Sequence, residues 1–221
     1  MTDDGFRTQL KQRLESERGF GVTEIPGAVR RPAMAGKAAA LAALYEEYKD
    51  CQLCPLGATR TKLVFGSGDP EAELMFVGEA PGFDEDRQGL PFVGAAGQLL
   101  TKIIQAMKLT REKVYIANCL KCRPPGNRNP LPTELATCNP ILMKQIDIIR
   151  PKIICALGKF ASQTVLNSQE PISRMRGRFF EAHGVRVMPT FHPAYLLRNP
   201  ADKKLAWEDA KLIMKELGIP L

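Results

Sequence analysis

The chain first commits to an architecture at Leu74-Met75-Phe76-Val77-Gly78-Glu79-Ala80-Pro81-Gly82. The four apolar residues have the length and character of a short buried strand. Two glycines and a proline then stop it. Glycine accepts positive φ and lets a ligand come close to the backbone, while proline fixes φ and withholds a donor. Glu79 sits at this turn, and Asp84-Glu85-Asp86 follows within one loop. A strand ending in a tight, acidic, glycine-lined loop is a usual ligand position in an open α/β sheet. Many such turns hold nothing, so the reading depends on what the other strands bring to the same edge.

Working outward, apolar segments at 73–77, 114–120, 152–157 and 185–191 read as strands. Segments at 94–108, 133–150, 159–167 and 202–217 read as helices, and an Ala/Leu-rich helix is expected over 37–50. Strands alternating with helices predict an α/β fold, a parallel sheet covered on both faces through right-handed crossovers. All strand ends then lie on one edge. There the sequence places Glu79, Asn118 with the following Lys121-Cys122-Arg123-Pro124-Pro125-Gly126-Asn127-Arg128, Gly158-Lys159, and His192-Pro193-Ala194-Tyr195-Leu196. Convergence of Glu79, Asn118 and His192 on that edge is the main argument for a site.

Each group has a chemistry that suits a planar polar ligand. Asn118 offers a donor and an acceptor together. Phe92, in Gly89-Leu90-Pro91-Phe92-Val93-Gly94, can stack on a ring or plug the core. His192 is restricted in direction by Pro193, whereas His183, before Gly184, belongs to a hairpin turn. Leu99, Leu100, Ile103, Ile104 and Met107 have core spacing. Basic residues cluster at Lys121, Arg123 and Arg128, at Arg174, Arg176 and Arg178, and at Arg198. On the site edge they would position a phosphate backbone, and the net charge of +7 agrees with such a partner without requiring one.

Six cysteines accompany a polar N-terminus, Met1-Thr2-Asp3-Asp4-Gly5, with no secretory pattern, which predicts reduced thiols or a metal in a cytoplasmic protein. No run approaches the roughly 18 apolar residues of a membrane span. Cys51-x2-Cys54 is a metal half-site. Cys119 and Cys122 would complete a zinc-ribbon-like set. Cys122 and Cys138 would complete four thiolates suited to an iron–sulfur cluster. The second set is preferred, because Cys119 follows Asn118 on a strand and points to the other face, and Cys138 lies early in a helix. Cys155 reads as a buried apolar thiol. Residues 1–36, with a helical stripe Phe6, Leu10, Leu14 and then a Gly/Pro/Arg segment, read as a flexible extension, leaving 37–221 as the domain.

These residues resemble family 4 of the uracil-DNA glycosylases, the iron–sulfur type. The resemblance covers roughly 40–217. It rests on Gly78–Gly82, Gly89–Gly94, Asn118–Pro125 and His192–Leu197, together with Cys51-x2-Cys54, x67 to Cys122 and x15 to Cys138. It implies a three-layer α/β/α fold with a small four-stranded parallel sheet and a [4Fe-4S] cluster near one end. Its ligands would be Cys51, Cys54, Cys122 and Cys138. It implies hydrolysis of the N-glycosidic bond of uracil in single- or double-stranded DNA by a monomer, initiating base excision repair. Phe92 would stack on the base, Asn118 would read its edge and His192 would donate to O2. Backbone around Ala80 would assist, and Tyr195 with Leu196 would fill the gap left by the flipped nucleotide. Arg123, Arg128 and Arg198 would contact DNA. The chain has Ala80 and Gly82 where the family 1 enzymes carry their water-positioning aspartate and thymine-excluding tyrosine. Glu79, the backbone or Asp84 must then hold the water, and Glu85 or Phe83 must exclude thymine. A superfamily relative that traps DNA through a histidine is disfavoured, since 123–130 contains none. A non-catalytic DNA-binding module with a structural four-cysteine metal site is the alternative, and it would not need Asn118, Phe92 and His192 together. A redox-sensing cluster is a weaker third reading.

Overall fold

The computed structural model describes residues 36–221; the helical stripe and linker expected within 1–35 lie outside them. The four strands and five helices read from the sequence are all present. Helix α1 (Lys37–Tyr48) precedes β1 (Ser67–Gly68) and β2 (Leu74–Gly78), and then α2 (Phe83–Gln88) and α3 (Ala95–Ala106) lead to β3 (Tyr115–Asn118). Next, α4 (Pro132–Ile149), β4 (Ile153–Leu157) and α5 (Gly158–Leu166) follow. After the short α6 (Ile172–Met175), β5 (Phe180–Ala182) and β6 (Val185–Thr190) form a hairpin, and α7 (Pro193–Arg198) and α8 (Lys203–Glu216) close the chain.

The sheet runs β1-β3-β2-β4-β6-β5. Its inner four strands, β3-β2-β4-β6, are parallel, as expected. The sheet itself is larger than the four strands expected, because β1 and β5 add antiparallel edges. β1 is two residues long and β5 three, too short for a periodic apolar signal. The hairpin turn falls at His183–Gly184, both with positive φ (54° and 70°), the conformation a two-residue turn demands. Pro189 is tolerated within β6 because β5 pairs only with Val185 to Val187, so the missing donor faces no partner strand.

Strand alternation divides the core. Met75, Val77, Ala117, Ile154, Ala156 and Val187 face α1, α4 and α5. Leu74, Phe76, Ile116, Cys155 and Met188 face α3 and α8. Cys155 is the buried apolar thiol its neighbours suggested, 3% exposed. No described helix is long and apolar enough to cross a membrane.

One polar brace ties α8 to the end of β6. Asp209, fully buried, accepts from Arg176 Nη2 at 2.6 Å, from Arg176 Nε at 3.1 Å and from Thr190 Oγ1 at 2.7 Å. Arg176 also donates to the Leu205 carbonyl at 2.7 Å. Arg176 therefore works inside the fold rather than as a free cation, which removes it from the basic surface read at 174–178. Asp209→Ala strands a guanidinium with only 17% side-chain exposure. It should lower the unfolding free energy by about 3 kcal/mol in chemical denaturation.

Candidate active site

The inner strands end in register. Gly78 pairs with Asn118, and Leu157 pairs with Thr190. The ladder continues past β3 through Cys119 N–H to Gly78 O (2.9 Å) and Leu120 N–H to Glu79 O (3.0 Å). The connection from β2 goes to β3 on one side, and the chain later returns as β4 on the other. The carboxyl end of β2 is thus a topological switch point. A cavity of about 520 Å³ opens there, lined by Glu79, Gly82, Phe92, Asn118, His192 and Arg198 among others. A larger hollow of about 860 Å³, between α1 and the β1 edge, carries none of these groups.

Gly78 is the contact point of the pocket. A Cβ on it would meet Phe92 Cζ at 2.5 Å and clash with Asn118 Oδ1. Phe92, 6% exposed, sits at φ 53°, a left-handed conformation that costs a non-glycine residue about 1–3 kcal/mol. The surroundings hold it there. Arg111 donates to the Phe92 carbonyl at 2.9 Å and to the Pro91 carbonyl at 2.8 Å, and Gly97 in α3 leaves room for the Phe92 backbone. Glu85 fastens the two loops to each other. Its Oε2 accepts from Gly82 N–H at 3.1 Å, and its Oε1 accepts from Val93 and Gly94 N–H, each at 2.9 Å. With three backbone donors on its two oxygens, Glu85 shapes the wall through Gly82 and Gly94. Arg111 and this function of Glu85 were not read from the sequence, since a charge that bonds backbone has no local pattern.

Asn118 is 1% exposed, and its Oδ1 is a buried acceptor with no hydrogen-bond partner. Buried polar groups are almost always paired, so this orphan is an unspent contact aimed at the cavity. His192 lies across from it, its ring 5.6 Å from that of Phe92 at a 33° tilt. Its Nδ1 accepts from Ala194 N–H at 3.1 Å, which places the proton of a neutral ring on Nε2. Burial, with Arg198 adding repulsion, lowers His192 from 6.5 to about 4, against a smaller opposing pull from Glu85. Burial also raises the Glu79 carboxyl above its ordinary 4.5. The site thus presents a neutral imidazole donor and a carboxylate with enhanced basicity. Because an unfolded chain protonates His192 near 6.5, its burial contributes stability that is complete above that pH and is lost as pH falls toward 4. An NMR titration should find the His192 midpoint near pH 4. In Gly158→Ala, whose Cβ would fall 2.9 Å from His192 Cβ, that midpoint should move up toward 6.5.

At the rim, Tyr195 is stacked on Phe191 (5.0 Å) and donates to Asp202 at 2.6 Å. Arg123 bonds Asn127 at 2.7 Å and lies over the exposed Phe83 ring at 5.1 Å. Arg128 grips Glu134 with two bonds of 2.9 and 2.6 Å, so most of its guanidinium fork is used to shape its own loop. Arg198 and Asp84 are exposed at the pocket mouth. Leu196 corrects an expectation. It is 1% exposed, turned inward by the short α7, and cannot enter a duplex; its neighbour Leu197, 44% exposed, takes the outward position.

Cys54, Cys119, Cys122 and Cys138 pack on the α1, α4 and α5 side of the sheet, away from Cys155, and all six cysteines are free thiols. Burial raises Cys122 to about 11 and also raises Cys138; each is further affected by Cys54, while Cys138 also interacts with Cys51. Cys119 looks toward Thr164 instead and has no such interaction with Cys51 or Cys54. Two cations oppose the burial. Arg60 donates to Cys122 Sγ at 3.5 Å and to the Cys51 carbonyl at 2.5 Å, and Lys121 acts on Cys138. Among the described residues no three His, Cys, Asp or Glu side chains close to the spacing of a single bound ion. Sulfurs around a four-iron cluster stand farther apart than the roughly 4 Å set by a zinc–sulfur bond of about 2.3 Å. Mutually sensed thiols with cations behind them fit such a group.

The Uracil DNA glycosylase superfamily model matches residues 65–211. A type-4 uracil-DNA glycosylase of Sulfurisphaera tokodaii is 45% identical over 183 residues, 79% of this chain and 83% of that protein. One from Thermotoga maritima is 44% identical over 180 residues, covering 78% of this chain and 94% of that protein. Another, from Archaeoglobus fulgidus, is 43% identical over 183 residues, 79% and 92% of the two chains. With its pocket at the switch point, this chain belongs to the uracil-DNA glycosylase superfamily and, within it, to the type-4 enzymes.

Proposed function

We propose that residues 37–221 form the catalytic domain of an enzyme that hydrolyses the N-glycosidic bond of uracil in DNA, releasing the free base and leaving an abasic site for repair. The observation that carries the residue assignment is the unpartnered Asn118 Oδ1 beside the Phe92 ring. A base swung out of the duplex enters the cavity and stacks on Phe92. Asn118 accepts from N3–H through Oδ1 and donates to O4 through Nδ2, a pairing that cytosine, with an amino group at position 4, does not satisfy. The carbon–nitrogen bond breaks with its electron pair leaving on the base, shared between N1 and O2. The Nε2–H of neutral His192 donates to O2 as that charge grows, aided by backbone N–H groups around Ala80. Water attacks the sugar carbon and gives its proton to Glu79, whose raised pKa makes it the better acceptor.

Arg198 and Tyr195 line the cavity and Arg123 lies over the ring of Phe83 beside it; these would meet a passing backbone, and the exposed Leu197 would fill the space the base leaves. Glu85, by holding the Gly82 backbone at the pocket wall, would exclude the thymine methyl. Cys51, Cys54, Cys122 and Cys138 would hold a [4Fe-4S] cluster, whose contribution when bound is to tie the end of α1, the loop after β3 and α4 together.

On a uracil-containing oligonucleotide, with a thymine-containing control, purified protein should release uracil and leave an alkali-labile site. His192→Ala should lower the single-turnover rate about 10²–10³-fold, and loss of release in the wild type would move the reading to a DNA-binding module. The rate should fall on the acid side with a midpoint above 4.5, and Glu79→Gln should be slow at every pH. Cys138→Ser should lower iron per chain and bleach the visible absorption of the preparation.

A further inference from the structure

Lys121 is 1% exposed, among the largest fully buried side chains, and no carboxylate contacts it among the described residues. Its Nζ donates to the Asn118 carbonyl at 2.7 Å and to Gln145 Oε1 at 2.6 Å. Gln145, fully buried in α4, is itself fixed by donating to the Phe65 carbonyl at 2.9 Å and the Tyr115 hydroxyl at 3.3 Å. The backbone N–H of Lys121 is meanwhile directed at Cys138, and its ammonium charge is sensed by Cys138 and Cys119. A buried ammonium without an anion is rarely kept for stability alone.

We infer that Lys121 is a positioning residue joining the cysteine-bearing face of the sheet to the base-reading face, holding the Asn118 peptide from behind and tying it to Gln145 of α4. The inference rests on Asn118 reading the base. Asn118 Oδ1 has no protein partner to aim it. Its direction is therefore set by its backbone, and that peptide is held at both ends, by Cys119 N–H to Gly78 O at 2.9 Å in the ladder and by the Lys121 ammonium on the Asn118 carbonyl. Outer-shell groups of this kind typically carry 10–100-fold of affinity or activity.

The test is a double-mutant cycle in the cluster-loaded, full-length protein. Lys121→Met should lower kcat/KM on a uracil oligonucleotide about 10–100-fold. In an Asn118→Ala background the same change should alter the residual rate by no more than about twofold, the scatter expected where nothing remains to couple. Voltammetry should show the cluster potential of Lys121→Met shifted to more negative values, since a neighbouring positive charge is gone, whereas Asn118→Ala leaves it unmoved. Equal losses in both backgrounds, or an unshifted potential, would overturn the inference. Wild-type protein that releases no uracil would instead overturn the functional reading beneath it. If Lys121→Met does not accumulate as folded protein, Gln145→Leu, which frees the ammonium from its α4 tether, carries the same cycle. Its loss of rate should likewise vanish beside Asn118→Ala, and persistence of that loss would count against the inference.

Discussion

A side chain at position 78 would have nowhere to go. The pairing of Gly78 with Asn118 brings the strand ends level, and the missing Cβ is what allows an aromatic ring and an amide to occupy the same small space above them. Everything else in the pocket is arranged around that closeness. Arg111 holds the Phe92 backbone in a conformation it would not otherwise choose, Gly97 clears room for it, and Glu85 fixes the loop on the other side. The strain at Phe92 is offset by bonds that have no function of their own in chemistry, a common arrangement where rigidity matters more than stability.

The same packing sets the electrostatics. Burial lowers His192 and raises Glu79, so one act of burial would prepare both ends of the proposed reaction. The thiols are treated in the opposite way. Burial resists their ionisation, and Arg60 and Lys121 are placed to counter it. Among the described residues, no cation in the pocket is set against the burial of Glu79, whereas the cysteine face carries two.

Much of this was legible in the sequence, for identifiable reasons. The four inner strands and the main helices carry strong apolar patterns, and the groups Glu79, Asn118 and His192 follow those strands directly, so topology alone brings them to one edge. Phe92 was legible only as one of two possibilities, because a proline- and glycine-bounded aromatic looks the same whether it serves a ligand or the core; it proves to be buried and at the cavity wall. What stayed hidden depends on long-range partners. Leu196 and Leu197 are adjacent and alike, and only the path of a single short turn decides which one faces out. Arg128 and Arg176 look like free cations until Glu134 and Asp209 arrive from other elements. Lys121 reads as one more member of a basic loop, and nothing in its neighbours in sequence reveals that it points inward to Gln145. The edge strands β1 and β5 are too brief to announce themselves.

Chain order gives the pocket a chronology as well. Phe92 and Asn118, the ring and the amide, precede β4, whereas His192 comes only after β6, the last strand to be laid down. During synthesis the groups proposed to recognise a base are therefore complete well before the group proposed to withdraw its electrons. A chain ending before the final thirty or so residues would lack His192 along with α7 and α8. In the proposed reaction the donor to O2 is thus the last group added, together with the two helices that complete the fold.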